Sequence, residues 1–457
     1  MLLFYNTLGK KKEAFTPRIA GKVGMYNCGP TVYDYVHIGN LRALIFADIL
    51  RRTLERNGYE VNQVMNITDV GHLTSDADAG EDKMMKGLKR EGLPVSLEGM
   101  HELADRYIDA FMKDVSAVNS YVPTTMPRAS EHIAEQIDLI KRLEAKGLTY
   151  TTSDGLYFST KDYPAYGKLG GISETETSNE HTRITENNEK RDARDFALWK
   201  FNDDLGWESP WGKGFPGWHI ECSAMSMKYL GESFDIHTGG IEHIAVHHND
   251  EIAQAEAATG KPFSRFWMHN DHVHVENRKM AKSEGTGFTR KDLEERGITP
   301  LSYRYFVLTA HYRSTLNFTW EAVEGAQAAL NRLRARLAEL PEGGTVDKDY
   351  RTRFDEAIND DLGTPQALAL VWEALKDASL SDADKKATIL SFDDVLGLKL
   401  NEIPTLEIPP DVLELAKKRE TARLAQDWAT SDALRKELQD LGFDIEDTAS
   451  GPRIVKR

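Results

Sequence analysis

The chain has 457 residues, 40% of them apolar and 28% charged, with 57 Lys and Arg against 73 Asp and Glu for a net charge of −16. At about 100–200 residues per domain, that length predicts about two to four domains. The composition excludes a disordered chain, and the acidic balance excludes non-specific coating of nucleic acid, though not a local basic footprint on RNA. No run approaches the ~20 apolar residues of a membrane helix. The start, Met1-Leu-Leu-Phe-Tyr-Asn-Thr, lacks the basic, apolar, small-residue order of a signal peptide. A cytoplasmic protein is expected.

In chain order, Lys22 to Cys28 predicts a strand running into the turn Gly29-Pro30. Leu41 to Asn57 predicts a helix, with Phe46, Ile49, Leu50 and Leu54 at helical spacing and Gly58 past its end. Glu60 to Ile67 is a second strand with Val61, Met65 and Ile67 on one face. This strand–helix–strand unit argues for a parallel sheet, whose ligands bind beyond the strand carboxyl ends near helix N-termini. The polar, acidic stretch 71–82 is expected to be a loop, 96–147 helical, and 173–195 a loop or lid. Phe196–Trp199 should return to the core, and Phe263–Val275 holds strand-like runs before a basic loop. From Leu316 the chain reads as helical: Thr319 as N-cap, then a stripe from Val323 to Leu340 ended by Pro341. Thr364-Pro365 reads as a second cap, Pro404–Pro410 as a linker, and two more helices (413–429 and 431–441) lead to a short tail.

Three groups of residues carry chemistry. The two cysteines, Cys28 and Cys222, are too far apart in a reducing compartment to suggest a structural disulfide. His247-His248-Asn249-Asp250-Glu251 opens a predicted helix, with His247 and Glu251 one turn apart on one face. Two thiolates, an imidazole and a carboxylate form a candidate tetrahedral Zn²⁺ set, with a solvated helix end as the alternative. His37-Ile38-Gly39-Asn40 begins the first helix, where His37 and Asn40 can donate to phosphate and Gly39 admits a nucleotide close to the backbone. Lys279-Met-Ala-Lys282-Ser can clamp a leaving diphosphate, with a solvated basic loop as its alternative.

Met25–Tyr33, His37–Asn40, Asn66–Asp69, Pro216–Met225, His247-His248 with Glu251, Lys279–Ser283, His311–Ser314, Asp427-Trp428 and Asp432–Arg435 together resemble the bacterial cysteinyl-tRNA synthetase family almost end to end. The resemblance implies an α/β fold: a class I Rossmann-like parallel-sheet catalytic domain with a connective-peptide insertion, an α-helical bundle and a small anticodon-binding module. The implied divisions are 1–120 and 196–260 for the two catalytic halves and 121–195 for the insertion. The stem-contact region with its lysine loop falls at 261–315, the bundle at 316–403 and the anticodon module at 404–457. The activity implied is formation of cysteinyl-adenylate from L-cysteine and ATP, then transfer to tRNA(Cys), by a monomer.

For the site, the resemblance implies one Zn²⁺ on Cys28, Cys222, His247 and Glu251 that takes the substrate thiolate. It implies phosphate contacts from His37, Gly39, Asn40, Lys279 and Lys282 with Mg²⁺, and a substrate pocket that includes Cys28, Thr68 and Trp218. It places anticodon contacts at Arg423, Trp428, Asp432, Arg435 and Asp447, where Trp428 can stack on an unpaired base. The chain departs from the family pattern at Asn40 for histidine, Ala281 for serine, Glu242 for aspartate, and Ile244-Ala-Val246 for a bulkier run containing proline. Two other readings stand beside this one: a cysteine ligase of thiol-cofactor synthesis, which lacks the C-terminal module, and a silent paralogue that only binds RNA or zinc.

Overall fold

The computed structural model describes residues 1–70, 82–170, 188–280, 285–402, 409–448 and 451–456. They fall into two compact units, Met1–Asn401 and Glu402–Arg457. No helix among the described residues is long and apolar enough to cross a membrane.

The first unit opens with an antiparallel hairpin, β1 (Leu3–Asn6) and β2 (Lys11–Ala14), whose strands are four residues each and whose second strand is too polar to stand out in the sequence. The expected strand–helix–strand unit follows as β3 (Lys22–Asn27), α1 (Ile38–Arg56) and β4 (Glu60–Met65), with β3 and β4 paired in parallel. Ile38, Leu41, Ile45, Ile49 and Leu54 recur at helical spacing and are buried along α1. Next come α2 (Lys83–Glu91), which precedes the stretch expected to be helical, and α3 (Leu97–Ala117) and α4 (Ile133–Glu144), which lie within it. Of the expected loops at 71–82 and 173–195, residues 71–81 and 173–187 lie outside the described residues.

After α4, β5 (Thr149–Thr152), β6 (Gly155–Phe158), β7 (Phe196–Phe201) and β8 (Gly214–Pro216) form an antiparallel sheet in sequence order. Leu143, Phe158, Phe196 and Trp199 give it a core of its own, and Phe196–Trp199 is buried as expected. Then α5 (Trp218–Leu230), β9 (Phe234–Gly240), α6 (His247–Thr259) and β10 (Ser264–Asn270) complete the main sheet. Its order is β10-β9-β3-β4 and every neighbour is parallel. All seven residues of β9 are buried, as a parallel sheet covered on both faces demands. Asn27, Gly240 and Asn270 end three of its strands on one edge, where the site forms.

Beyond it, β11 (Val273–Val275) pairs antiparallel with β12 (Arg278–Lys279) and parallel with β13 (Leu316–Phe318). Between them lie α7 (Arg290–Glu295) and α8 (Pro300–Leu308). The helical run expected from Leu316 therefore starts after Phe318, because Leu316–Phe318 supplies the edge that β11 needs. Thr319 caps α9 (Trp320–Glu339), and Val323, Leu330, Leu333 and Leu337 are buried as the stripe predicts. Three more helices follow: α10 (Lys348–Asn359), α11 (Thr364–Lys376) and α12 (Asp382–Leu396). The cap of α11 is Gly363, not Thr364: Asp361 and Leu362 both take positive φ, so the chain turns one residue earlier. Pro365 still sits in the first turn, where no N–H is needed.

In the second unit, most of the expected linker falls at 403–408, outside the described residues. Its first helix, α13 (Pro410–Leu424), stops short of Ala429 because Gln426 takes φ +58° and Asp427 caps α14 (Trp428–Asp440). The expected tail is a hairpin, β14 (Phe443–Thr448) with β15 (Gly451–Lys456). Phe443 and Ile445, two apart on one strand face, close a small core with Val412, Ala416 and Leu438.

Candidate active site

Cys28 follows β3 into a turn held by Asn66, whose Oδ1 accepts from Gly29 N at 2.8 Å. A Cβ on Gly29 would lie 1.7 Å from Asn66 O, so only glycine brings the turn this close. The ligand atoms of Cys28, His247, His248 and Glu251 all lie within 4.8 Å of one another. Cys222, on α5, hydrogen-bonds both Cys28 and His247. The four expected residues are thus neighbours, and His248 joins them with Nε2 3.3 Å from Cys28 Sγ. Helical spacing separates i and i+1, which is why a ligand face drawn through His247 and Glu251 omits His248.

Burial pushes the Glu251 carboxyl up, but the His237 and His247 imidazoles outweigh it and hold it at about 2. The Cys28 hydrogen bond, working against burial and helped by His247, brings Cys222 down to about 6. Burial and the same pairing push Cys28 up. An ionised buried carboxylate, an acidic thiol and imidazoles in one shell are the donors a Zn²⁺ ion takes, so the residues fit that ion. Outer partners orient them. His219 Nδ1 lies 2.8 Å from His247 Nδ1, and its Nε2 lies 3.2 Å from Asp250. His237 Nε2 is 2.8 Å from Glu251 Oε2, and His269 Nε2 is 2.7 Å from His248 Nδ1. Such contacts fix ring orientation and tautomer. Burial depresses the pKa values of His248 and His269 well below the ordinary histidine value, leaving both neutral.

Cys28, Cys222 and His247 line a cavity of about 460 Å³ together with His37, Gly39, Asn40 and Met280. His37 caps α1: its Nδ1 accepts from Asn40 N at 3.3 Å, and Asn40 Oδ1 accepts from His37 N at 3.1 Å. This reciprocal cap is what asparagine contributes at position 40, and it turns the amide nitrogen to the donor role. Ile38 N bonds Phe288 O at 2.7 Å, so the chain just past the lysine loop is pinned to the start of α1. Lys279 pairs with His274 across β11 and β12, while Lys282 lies outside the described residues.

Trp218 lines the cavity and stacks on His247 at 4.2 Å between centroids. Thr68 is buried one layer beneath and donates to Glu221 Oε2 at 2.9 Å rather than lining the cavity. Glu242 faces the cavity with Oε2 3.6 Å from His272 Nδ1.

In the second unit, Trp428 is 60% exposed, and Asp432 is exposed beside it. Asp447 binds Arg419 through both of its oxygens, and Arg423 and Arg435 each approach it to 3.5 Å. Its carboxylate is therefore the hub of an arginine cluster. Arg419, buried and tied to it, is the member the sequence does not single out.

Among solved structures, methionyl-tRNA synthetase of Mycobacterium tuberculosis with methionyl-adenylate matches with a TM-score of 0.56 at 15% identity, over 82% of this chain and 90% of that one. A LeuRS–tRNA–LeuAMS complex of Agrobacterium radiobacter matches at 0.60 and 10% identity, over 84% of each. The model of the class I (C) tRNA synthetase catalytic domain matches residues 14–328, so fold and domain alike are those of a class I aminoacyl-tRNA synthetase. The cysteinyl-tRNA ligase anticodon-binding domain matches residues 405–451. "Cysteine--tRNA ligase 1" of Burkholderia lata is 50% identical over 99% of this chain and 96% of its own length, and the Thermus thermophilus cysteine–tRNA ligase is 42% identical over 99% and 98%. The chain belongs to the cysteine–tRNA ligase family.

Proposed function

We propose that the chain joins L-cysteine to tRNA(Cys) in two steps. The cysteine carboxylate attacks the α-phosphorus of ATP, the α–β bridging bond breaks, and diphosphate leaves with cysteinyl-adenylate formed. A hydroxyl of the 3′-terminal adenosine of the tRNA then attacks the activated carbonyl, and AMP leaves. The observation that carries this reading is one cavity lined both by Cys28, Cys222 and His247, with Glu251 clustered behind them, and by His37, Gly39 and Asn40.

In this reading Cys28, Cys222, His247 and Glu251 hold a zinc ion, with His248 donating to the Cys28 sulfur. That ion supplies a soft Lewis-acidic position which takes a thiolate in preference to a hydroxyl. Trp218 walls the substrate pocket, and Thr68 supports it through Glu221. His37 and Asn40 hold phosphate oxygens at the start of α1, where the helix dipole favours an anion. Lys279 and Lys282 neutralise charge moving onto the diphosphate, with Mg²⁺ accompanying ATP. The work is positioning and electrostatics, so no general base is required. Arg423, Trp428, Asp432 and Arg435 meet the anticodon, and Asp447 holds the arginines in place. ATP–diphosphate exchange with each amino acid tests the first step: exchange with cysteine alone is expected, and exchange with several amino acids or none overturns the reading.

A further inference from the structure

We propose that Arg42 is a positioning residue for the nucleotide half of this cavity, an inference that rests on reading the cavity as the ATP site. Arg42 lies on α1 two residues past Asn40 and is 1% exposed. Its acceptors are main-chain carbonyls from two distant segments. Nη1 donates to Asp271 O at 2.9 Å and His272 O at 2.6 Å. Nη2 donates to His311 O and Tyr312 O at 3.2 Å and to Ser314 O at 2.5 Å.

Asp271 and His272 line the same cavity as His37 and Asn40. The 311–314 segment is anchored in turn: Tyr312 Oη and Arg313 Nε bond Asp361 at 2.7 and 2.8 Å, and the Tyr312 ring stacks on Phe46 of α1 at 4.6 Å. One guanidinium thus fixes the start of α1, one rim of the cavity and an anchored turn relative to one another. Carbonyl acceptors have no rotamers, so the fork sets backbone positions directly. A buried cation without a bonded carboxylate is costly, and a lysine ammonium has neither the planar fork nor five donors.

The test compares Arg42→Lys and Arg42→Gln, read in parallel so that misfolding of one leaves the other, with Arg304→Lys. Arg304 is also fully buried and bound to carbonyls, at Leu396, Val118 and Asn119, and unlike Arg42 it also pairs with a carboxylate, that of Asp48, but none of its partners lines the cavity. Exchange kinetics, zinc content and thermal unfolding are measured on each protein. The Arg42 variants are expected to lose about tenfold or more in kcat/KM for ATP, with KM for cysteine and zinc content within about twofold of the parent. Arg304→Lys is expected to lower the unfolding temperature as much while leaving KM for ATP within about twofold. Parental ATP kinetics in the Arg42 variants, or an equal ATP defect in Arg304→Lys, overturns the inference. Absence of exchange in the unsubstituted protein instead overturns the reading of the cavity, and this inference with it.

Discussion

Gly39→Ala separates the stability of α1 from its use. Gly39 is the second residue of the helix and has no positive φ, so alanine suits the backbone and should add about 0.5–1 kcal/mol of stability. The added Cβ would lie 3.0 Å from Cε1 and Nδ1 of His37 and 3.0 Å from Cε of Met280, against 3.4 Å for ordinary contact. The shortfall is 3.4 − 3.0 = 0.4 Å. Met280 can yield, but the His37 ring is held by its bond from Asn40 N. A 1 Å misplacement of a positioned group costs about 10²-fold in rate, so 0.4 Å corresponds to about sixfold. Thermal unfolding should be unchanged or slightly higher, while kcat/KM for ATP in diphosphate exchange falls about fivefold or more. Full exchange activity, or a stability loss above about 1 kcal/mol, would refute this account of the helix start.

Cys222→Ser should lower zinc content and cysteine binding together, by more than the 10–100-fold typical of outer-shell losses; normal zinc with lost exchange would break the ligand assignment. Deleting residues 402–457 should spare cysteine-dependent exchange and cut tRNA charging about 10²-fold, the scale of losing a stacked base and its arginine contacts. Equal loss of both would show that the second unit supports the catalytic fold. Metal-stripped protein should lose stability as pH falls, because the unfolded chain protonates at His248 and His269 below about pH 6.5 while the folded protein keeps both neutral. The slope between about pH 6 and 5 is roughly 2.5 kcal/mol per pH unit for the pair, and denaturant unfolding of His269→Gln should show about half of it.

The parts of the fold legible in the sequence are those that carry a side-chain period or a cap. The strand–helix–strand unit, the stripe of α9 and the paired His247 and Glu251 are of that kind. The hairpins at both ends are not: β2 is Lys-Lys-Glu-Ala, and β14 shows its alternation only in Phe443 and Ile445. His248 acquires its role from Cys28, 220 positions away. Arg419 acquires its role from Asp447 in a strand absent from the sequence reading. Arg42 is the extreme case, since its partners are carbonyls 229 to 272 positions distant, and carbonyls leave no trace in side-chain pattern.

Exchange with cysteine and with serine, on one sample assayed for zinc before and after chelation, tests the central claim most directly. The account predicts about one zinc per chain and a preference for cysteine beyond the roughly 200-fold that pocket shape alone supplies, lost in step with the metal. A cysteine preference that survives complete removal of the metal would contradict it.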